Sequence, residues 1–121
     1  MEKCIFCEIV NGKEEHLFEN KLAVAFLDKN PVSKGHTLII PRRHVDSFFD
    51  ITDEEISAMH DLALEVKQYL DELYAPNGFN IGFNVGEAGG QSVFHCHMHV
   101  IPRYNGDVVH PRGGIRKVLK K

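Results

Sequence analysis

Three histidines at alternate positions, His95, His97 and His99, lie in the stretch QSVFHCHMHVIPRY at 91–104, with Cys96, Met98 and Val100 between them. In an extended chain alternate side chains share a face, so the imidazoles would line up about 6.6 Å apart with an apolar row behind them. A helix would scatter them. The alternation, the run into Val100 and Ile101 and the stop at Pro102 predict a strand. One histidine beside a core is ordinarily a satisfied structural group. Three on one side would repel one another if all were protonated, and such clusters concentrate at functional sites. Neutral imidazole can attack an electrophile or bind a metal. The spacing alone leaves a three-histidine catalytic zinc site open, since His-x-His on a strand presents two ligands to one ion.

Two further groups carry chemistry. Cys4 and Cys7 form a Cys-x-x-Cys pair, but a thioredoxin-like redox motif needs a preceding strand and a βαβ context absent here. Half of a structural zinc site is the better reading, and it requires two more Cys or His ligands. In EAGGQS at 87–92, Gly89 and Gly90 have no Cβ and can bring backbone N–H groups close to an anion, although a plain hairpin uses the same residues.

The elements that must position these groups are legible from pattern. Residues 16–28, HLFENKLAVAFLD, read as two short strands about a turn at Asn20 and Lys21, with Leu22, Val24 and Phe26 on one face and Ala23, Ala25 and Leu27 on the other. KNPVSKG is a loop, and HTLIIP at 36–41 is a strand stopped by Pro41. Thr52 and Glu55 form a capping box flanked by a staple of Ile51 and Ile56. A helix then runs to about Tyr74 on a stripe of Ile56, Met59, Ala63, Val66, Leu70 and Leu73, and is ended by Ala75-Pro76-Asn77-Gly78. That stripe is core, and His60 beside it has no assigned role. FNIGFNV at 79–85 is a strand, joined to the histidine strand by so short a link that the two form an antiparallel pair. The expected architecture is α+β: an antiparallel sheet of about five strands with one long helix on one face and the histidines on the uncovered face.

At 121 residues and 43% hydrophobic content, one domain spanning 1–121 is expected, with an N-terminal CxxC segment at 1–15 and a weakly patterned tail at 104–121. A net charge of −3 with scattered basic residues argues against a nucleic-acid partner. No run suits a membrane span, Met1-Glu2-Lys3-Cys4 does not open a secretory signal, and three cysteines suit reduced thiols, so a cytoplasmic location is expected.

Taken together, HCHMHVI at 95–101, GGQS at 89–92, GHTLIIPRRH at 35–44, AFLD at 25–28 and CIFCEIVNGK at 4–13 resemble the histidine triad (HIT) family, whose motif is His-φ-His-φ-His-φ-φ with φ apolar. The resemblance covers most of the chain and weakens after Arg103. It implies the HIT fold, a homodimer, and hydrolysis or transfer of nucleotidyl groups at the α-phosphate through a nucleotidyl-histidine intermediate. His97 is then the nucleophile. His99 and His36 contact the phosphate and support His97, while Gln91 and Ser92 donate to phosphoryl oxygens or the leaving group. Asp28 holds the ribose hydroxyls, Phe26 lines the base pocket, and Asn84 and Gly90 lie near the phosphate. Asp28 also suits a plain turn before Pro31. In the branch with a CxxC pair, Cys4 and Cys7 join His44 of PRRH and His95 in a structural zinc site, leaving His97 free. The implied substrate is a purine nucleotide of the AMP type, most directly an adenosine 5′-phosphoramidate. A dinucleoside polyphosphate hydrolase and a catalytically idle nucleotide-binding scaffold are the alternatives.

Overall fold

The alternating segments assemble into one five-stranded antiparallel sheet in the computed structural model, which describes residues 4–12 and 14–119. Parts of the predicted terminal segments, 1–3, 13 and 120–121, lie outside the described residues. The strands are β1 (Phe18–Glu19), β2 (Ala23–Leu27), β3 (Thr37–Pro41), β4 (Gly78–Phe83) and β5 (Met98–Arg103), in the spatial order β1-β2-β3-β5-β4. Asn20 closes the first hairpin by accepting the Leu22 and Ala23 N–H groups on its side-chain oxygen at 3.2 and 2.9 Å.

The long helix α2 (Asp53–Tyr74) starts at the expected capping box, where Thr52 accepts the Glu55 N–H and Glu55 accepts the Thr52 N–H. Its fully buried apolar residues are Met59, Leu62, Val66 and Leu70. They pack on Ala23, Ala25, Ile39, Met98 and Val100 of the sheet. Each such Leu or Met stabilises by about 1.5–3 kcal/mol on burial. The predicted stripe is rotated slightly: Leu62 belongs to it, and Leu73 is 52% exposed. Glu55 is buried at the N-terminal end because Arg43 grips its carboxylate with two hydrogen bonds, 3.0 and 2.8 Å. No helix among the described residues is long and apolar enough to cross a membrane.

Two expectations are corrected. First, the histidine face is not uncovered. A helix, α1 (Ile5–Gly12), lies in the segment read only as a zinc-binding lead-in, and its Phe6 and Ile9 pack on Val24, Phe26, Leu38 and Ile40. Second, the histidine strand begins only at Met98, so His99 lies in it while His95 and His97 precede it. The ladder explains the late start. Ile39 and Phe83 are the last partners of β5, both opposite Met98, and beyond them β3 pairs only with β2. Residues 95–97 therefore have no neighbouring strand, and the Cys96 N–H turns to the Val45 carbonyl at 2.7 Å.

Candidate active site and metal centre

His99 sits in mid-sheet, opposite Leu38 of β3 and Gly82 of β4, and this register brings it to His36 just ahead of β3. His36 Nε2 and His99 Nδ1 are 3.0 Å apart. Their protons follow from fixed partners. The Val32 backbone N–H, which can only donate, meets His36 Nδ1 at 3.2 Å, so neutral His36 carries its proton on Nε2. That proton goes to His99 Nδ1, and neutral His99 carries its own on Nε2. This Nε2 is buried and has no hydrogen-bond partner among the described residues. A buried N–H left unpaired costs about 1–3 kcal/mol, which an incoming acceptor would recover.

His97 is fixed in the same manner. Its Nδ1 lies 2.9 Å from the His95 carbonyl, an obligate acceptor, so Nδ1 carries the proton and Nε2 keeps its lone pair. The His97 and His99 rings are 5.0 Å apart, and Phe6 packs edge-on against His97 at 5.1 Å. Both histidines line a cavity of about 640 Å³ between α1 and the sheet, whose other walls include Phe6, Phe26, Asp28, Asn84, Gly90 and Ser92. A cavity of about 700 Å³ near Tyr74 and Arg103 contains no histidine. The Arg103 guanidinium there is bound to Asp107 and Asn80.

Burial holds His99 well below the ordinary imidazole range, at about 4, with His97 and His36 adding to the depression. His36 is also lowered by burial, against the opposing pull of Asp28. The sign of the linkage follows. Well above pH 6.5 neither the folded nor the unfolded chain protonates His99. Between about 6.5 and 4 the unfolded chain takes a proton at His99 that the fold refuses. Metal-free protein should therefore lose stability as the pH falls from 7 to about 4, by up to about 3 kcal/mol from His99. Urea midpoints across that range test this; an unchanged midpoint would contradict it.

Asp28 makes the turn and also lines the cavity. Its Oδ1 accepts the Asn30 N–H at 2.8 Å in a turn, while its Oδ2 stands 3.5 Å from His36 Nε2 beside the cavity. Gln91 is placed differently from the expectation. Both N–H bonds of its amide are committed to the Asp46 and Val93 carbonyls, at 2.6 and 3.0 Å, and its oxygen accepts the Gly86 N–H. It is buried and braces the turn, with no side-chain donor left for a phosphate. The glycine cradle is corrected too: the N–H groups of Gly89, Gly90 and Gln91 close onto the Gly86 and Glu87 carbonyls. Gly90 is needed for its φ of 94°. Ser92, exposed on the cavity wall, is the polar side chain of this turn that faces the site.

Cys4, Cys7, His44 and His95 converge about 91 residues apart in the chain, their ligand atoms all within 4.8 Å of one another. The fold makes this happen in three places. Cys4 caps α1, its sulfur accepting the Cys7 N–H at 3.3 Å. Arg43, held by Glu55, fixes the loop bearing His44, and the Cys96 to Val45 hydrogen bond sets His44 beside His95. His95 Nε2 donates to the Pro41 carbonyl at 2.8 Å, so its Nδ1 lone pair faces both sulfurs, at 3.5 and 3.6 Å. Cys7 Sγ lies 3.3 Å from His44 Nδ1. A tetrahedral zinc with ordinary bond lengths requires a sulfur–nitrogen edge of about 3.6 Å. The donor set, the spacing and the second hydrogen bond on His95 all fit that ion. Without it, burial and the neighbouring Cys4 push the Cys7 thiol up to about 11.

The sequence profile of the HIT domain matches residues 11–106. The chain belongs to the HIT family. HIT proteins are in general nucleotide hydrolases or transferases. This HIT protein is 41% identical over 105 residues to Protein hit of Bacillus subtilis, covering 85% of this chain and 72% of that one. Its fold superimposes on a zinc-bound histidine triad family protein from Mycobacterium smegmatis with a TM-score of 0.79 at 36% identity, covering 89% of this chain and 80% of the other. It is also similar to the adenylylsulfatase HINT3 of Arabidopsis thaliana, 32% identical over 116 residues, 94% of this chain and 59% of that protein.

Sequence reasoning missed Phe6 and Ile9. The available signal was that Phe6 lies between the two cysteines, so whatever brings them to His95 brings Phe6 to the triad.

Proposed function

We propose that this HIT protein hydrolyses or transfers nucleotidyl groups at the α-phosphate through a nucleotidyl-His97 intermediate, with adenosine 5′-phosphoramidates as the preferred substrate class. The observation that carries the reading is the His97 tautomer: Nδ1–H is held by the His95 carbonyl, and the Nε2 lone pair is left beside a buried, unpartnered N–H of His99. Nε2 attacks phosphorus, a phosphoryl oxygen accepts the His99 Nε2–H, and the P–N bond to the leaving amine breaks as the amine takes up a proton from the Ser92 hydroxyl, which solvent re-protonates. Water then splits the P–N bond to imidazole, giving the nucleoside monophosphate and free His97. Little covalent work remains for the protein beyond positioning and charge stabilisation.

Phe26, with Phe6 and Ile9 of α1, forms the apolar slot for the base. Asp28 takes the ribose hydroxyls, and Asn84 and Gly90 border the phosphate. Zinc, held by Cys4, Cys7, His44 and His95, would tie α1 to the sheet and takes no part in the chemistry. The similarity to an adenylylsulfatase supports transfer of an adenylyl group with a variable leaving group. A homodimer pairing through β4, the longer of the two sheet edges, completes the reading.

Rates of the purified protein on adenosine phosphoramidate, lysine-linked AMP, adenylyl sulfate and a dinucleoside polyphosphate test the assignment. A dinucleoside polyphosphate favoured by about a hundredfold, roughly 2.7 kcal/mol in the barrier, would reverse it. Ser92→Ala should slow phosphoramidate cleavage about 10- to 100-fold while leaving AMP affinity nearly unchanged, because its hydroxyl acts on the leaving group in the transition state. Equal losses in binding and turnover would place Ser92 in ground-state recognition.

A further inference from the structure

The loop at 29–35 is tied down more heavily than a surface connection requires. Ser33 Oγ donates to the Pro102 carbonyl at 2.7 Å, and the Tyr104 hydroxyl donates to the Lys34 carbonyl at 2.7 Å. The His36 N–H returns to the Ser33 carbonyl, and the Asp28 N–H to the His36 carbonyl. Gly35, at φ 93°, admits no side chain, since a Cβ would stand 2.8 Å from Leu70. Pro102 lies near the end of the strand that carries His99, and Tyr104 follows its last residue, Arg103. The loop is thus referenced to the same strand as the histidine with which His36 pairs.

What this bracing delivers is one hydrogen-bond donor, the Val32 N–H, to His36 Nδ1, while the Val32 side chain itself is 72% exposed. We propose that the Val32 backbone N–H is a positioning group for catalysis: it sets the direction of the His36–His99 pair, so that His99 presents an N–H to the cavity before any substrate arrives. Both acceptors at the far end of His36 agree with that direction. His99 Nδ1 at 3.0 Å and Asp28 Oδ2 at 3.5 Å each favour a proton on His36 Nε2. Reversing the chain would set an Nδ1–H of His36 against the Val32 N–H and turn the Nε2 lone pair of His99 toward a phosphoryl oxygen. Repulsion would then replace a hydrogen bond at the place where charge develops. The inference rests on the nucleotidyl-transfer reading for its catalytic consequence, but the tautomers themselves follow from geometry alone.

The decisive change replaces that N–H by an ester oxygen: full-length protein carrying the α-hydroxy acid analogue of valine at position 32, which also weakens the Pro31 carbonyl as an acceptor. The same replacement at Ser33, where neither the N–H nor the preceding Val32 carbonyl has a hydrogen-bond partner among the described residues, is the control. Long-range proton–nitrogen NMR of labelled histidines should give the Nε2–H tautomer for His36 and His99 in the unmodified protein and in the Ser33 ester. The Val32 ester should give mixed tautomers at both. Its kcat on adenosine phosphoramidate should fall about tenfold with AMP affinity unchanged, whereas the Ser33 ester keeps its rate. Val32→Pro deletes the same donor by genetic means and should reproduce the mixture if the ester folds poorly. Unchanged tautomers in a folded Val32 variant would overturn the proposal whatever the activity. Mixed tautomers in a protein that turns over no nucleotide would leave the positioning intact and sink the functional reading instead.

Discussion

His97→Ala should lower turnover of adenosine phosphoramidate by at least about 10³-fold, more than about 4 kcal/mol, on a protein that still folds. The size follows from the kind of loss. Replacing a hydrogen bond weakens a transition state, but removing the nucleophile deletes the covalent route altogether. His97 has 7% exposure, and its contacts beyond the His95 carbonyl are ring edges with Phe6 and His99, so alanine leaves a cavity without stranding a charge. Linkage chemistry supplies the direct readout. A phosphoryl bond to imidazole nitrogen is labile in acid and survives alkali, unlike an ester of Ser92. Substrate labelled in the nucleotide, quenched in base, should leave label on the protein that acid removes and that His97→Ala never acquires. His97→Gly should recover part of its rate with added imidazole. Near-normal turnover by folded His97→Ala would point to direct attack by water.

The second large effect concerns stability. Protein purified without chelator should hold about one zinc per chain, and Cys4→Ser combined with Cys7→Ser should abolish it. With free zinc a thousandfold above the dissociation constant, losing the site costs about 4 kcal/mol, which lowers the melting midpoint of a domain this size by roughly 15 °C. Two buried apolar layers remain, so the double variant should still fold at low temperature. Activity per folded molecule should fall much less than stability. Elemental analysis finding no metal in the unmodified protein would remove the site, as would a double variant melting at the unmodified midpoint.

The chemistry-bearing residues were legible because their types and spacing are local properties. Three alternating imidazoles and a CxxC pair need no knowledge of the fold to be noticed, and the capping box at Thr52 and Glu55 marks its helix to the residue. What stayed hidden depends on partners. The eight-residue α1 is too short to stand on its own and includes Ile5, Ile9 and Val10, poor helix formers; it exists because Phe6 and Ile9 find the sheet and Cys4 caps its first turn. The His36–His99 contact depends on the register between β3 and β5, which no short-range pattern sets. The bracing role of Gln91 is equally invisible in sequence, because an amide beside an active site looks like a free donor until its two N–H bonds are traced to the Asp46 and Val93 carbonyls.

The early end of the ladder beside Met98 has one more consequence. In an inner strand nearly every carbonyl is claimed by a neighbour, and a side chain wanting one must compete with the sheet for it. His95 lies just past the point where those neighbours run out, so its carbonyl is free to hold the imidazole two residues on. Extending the β5 ladder by three pairs of residues, as far as His95, would improve the sheet by every usual measure of regularity. On the present reading, it would also take away the atom that keeps the attacking nitrogen bare.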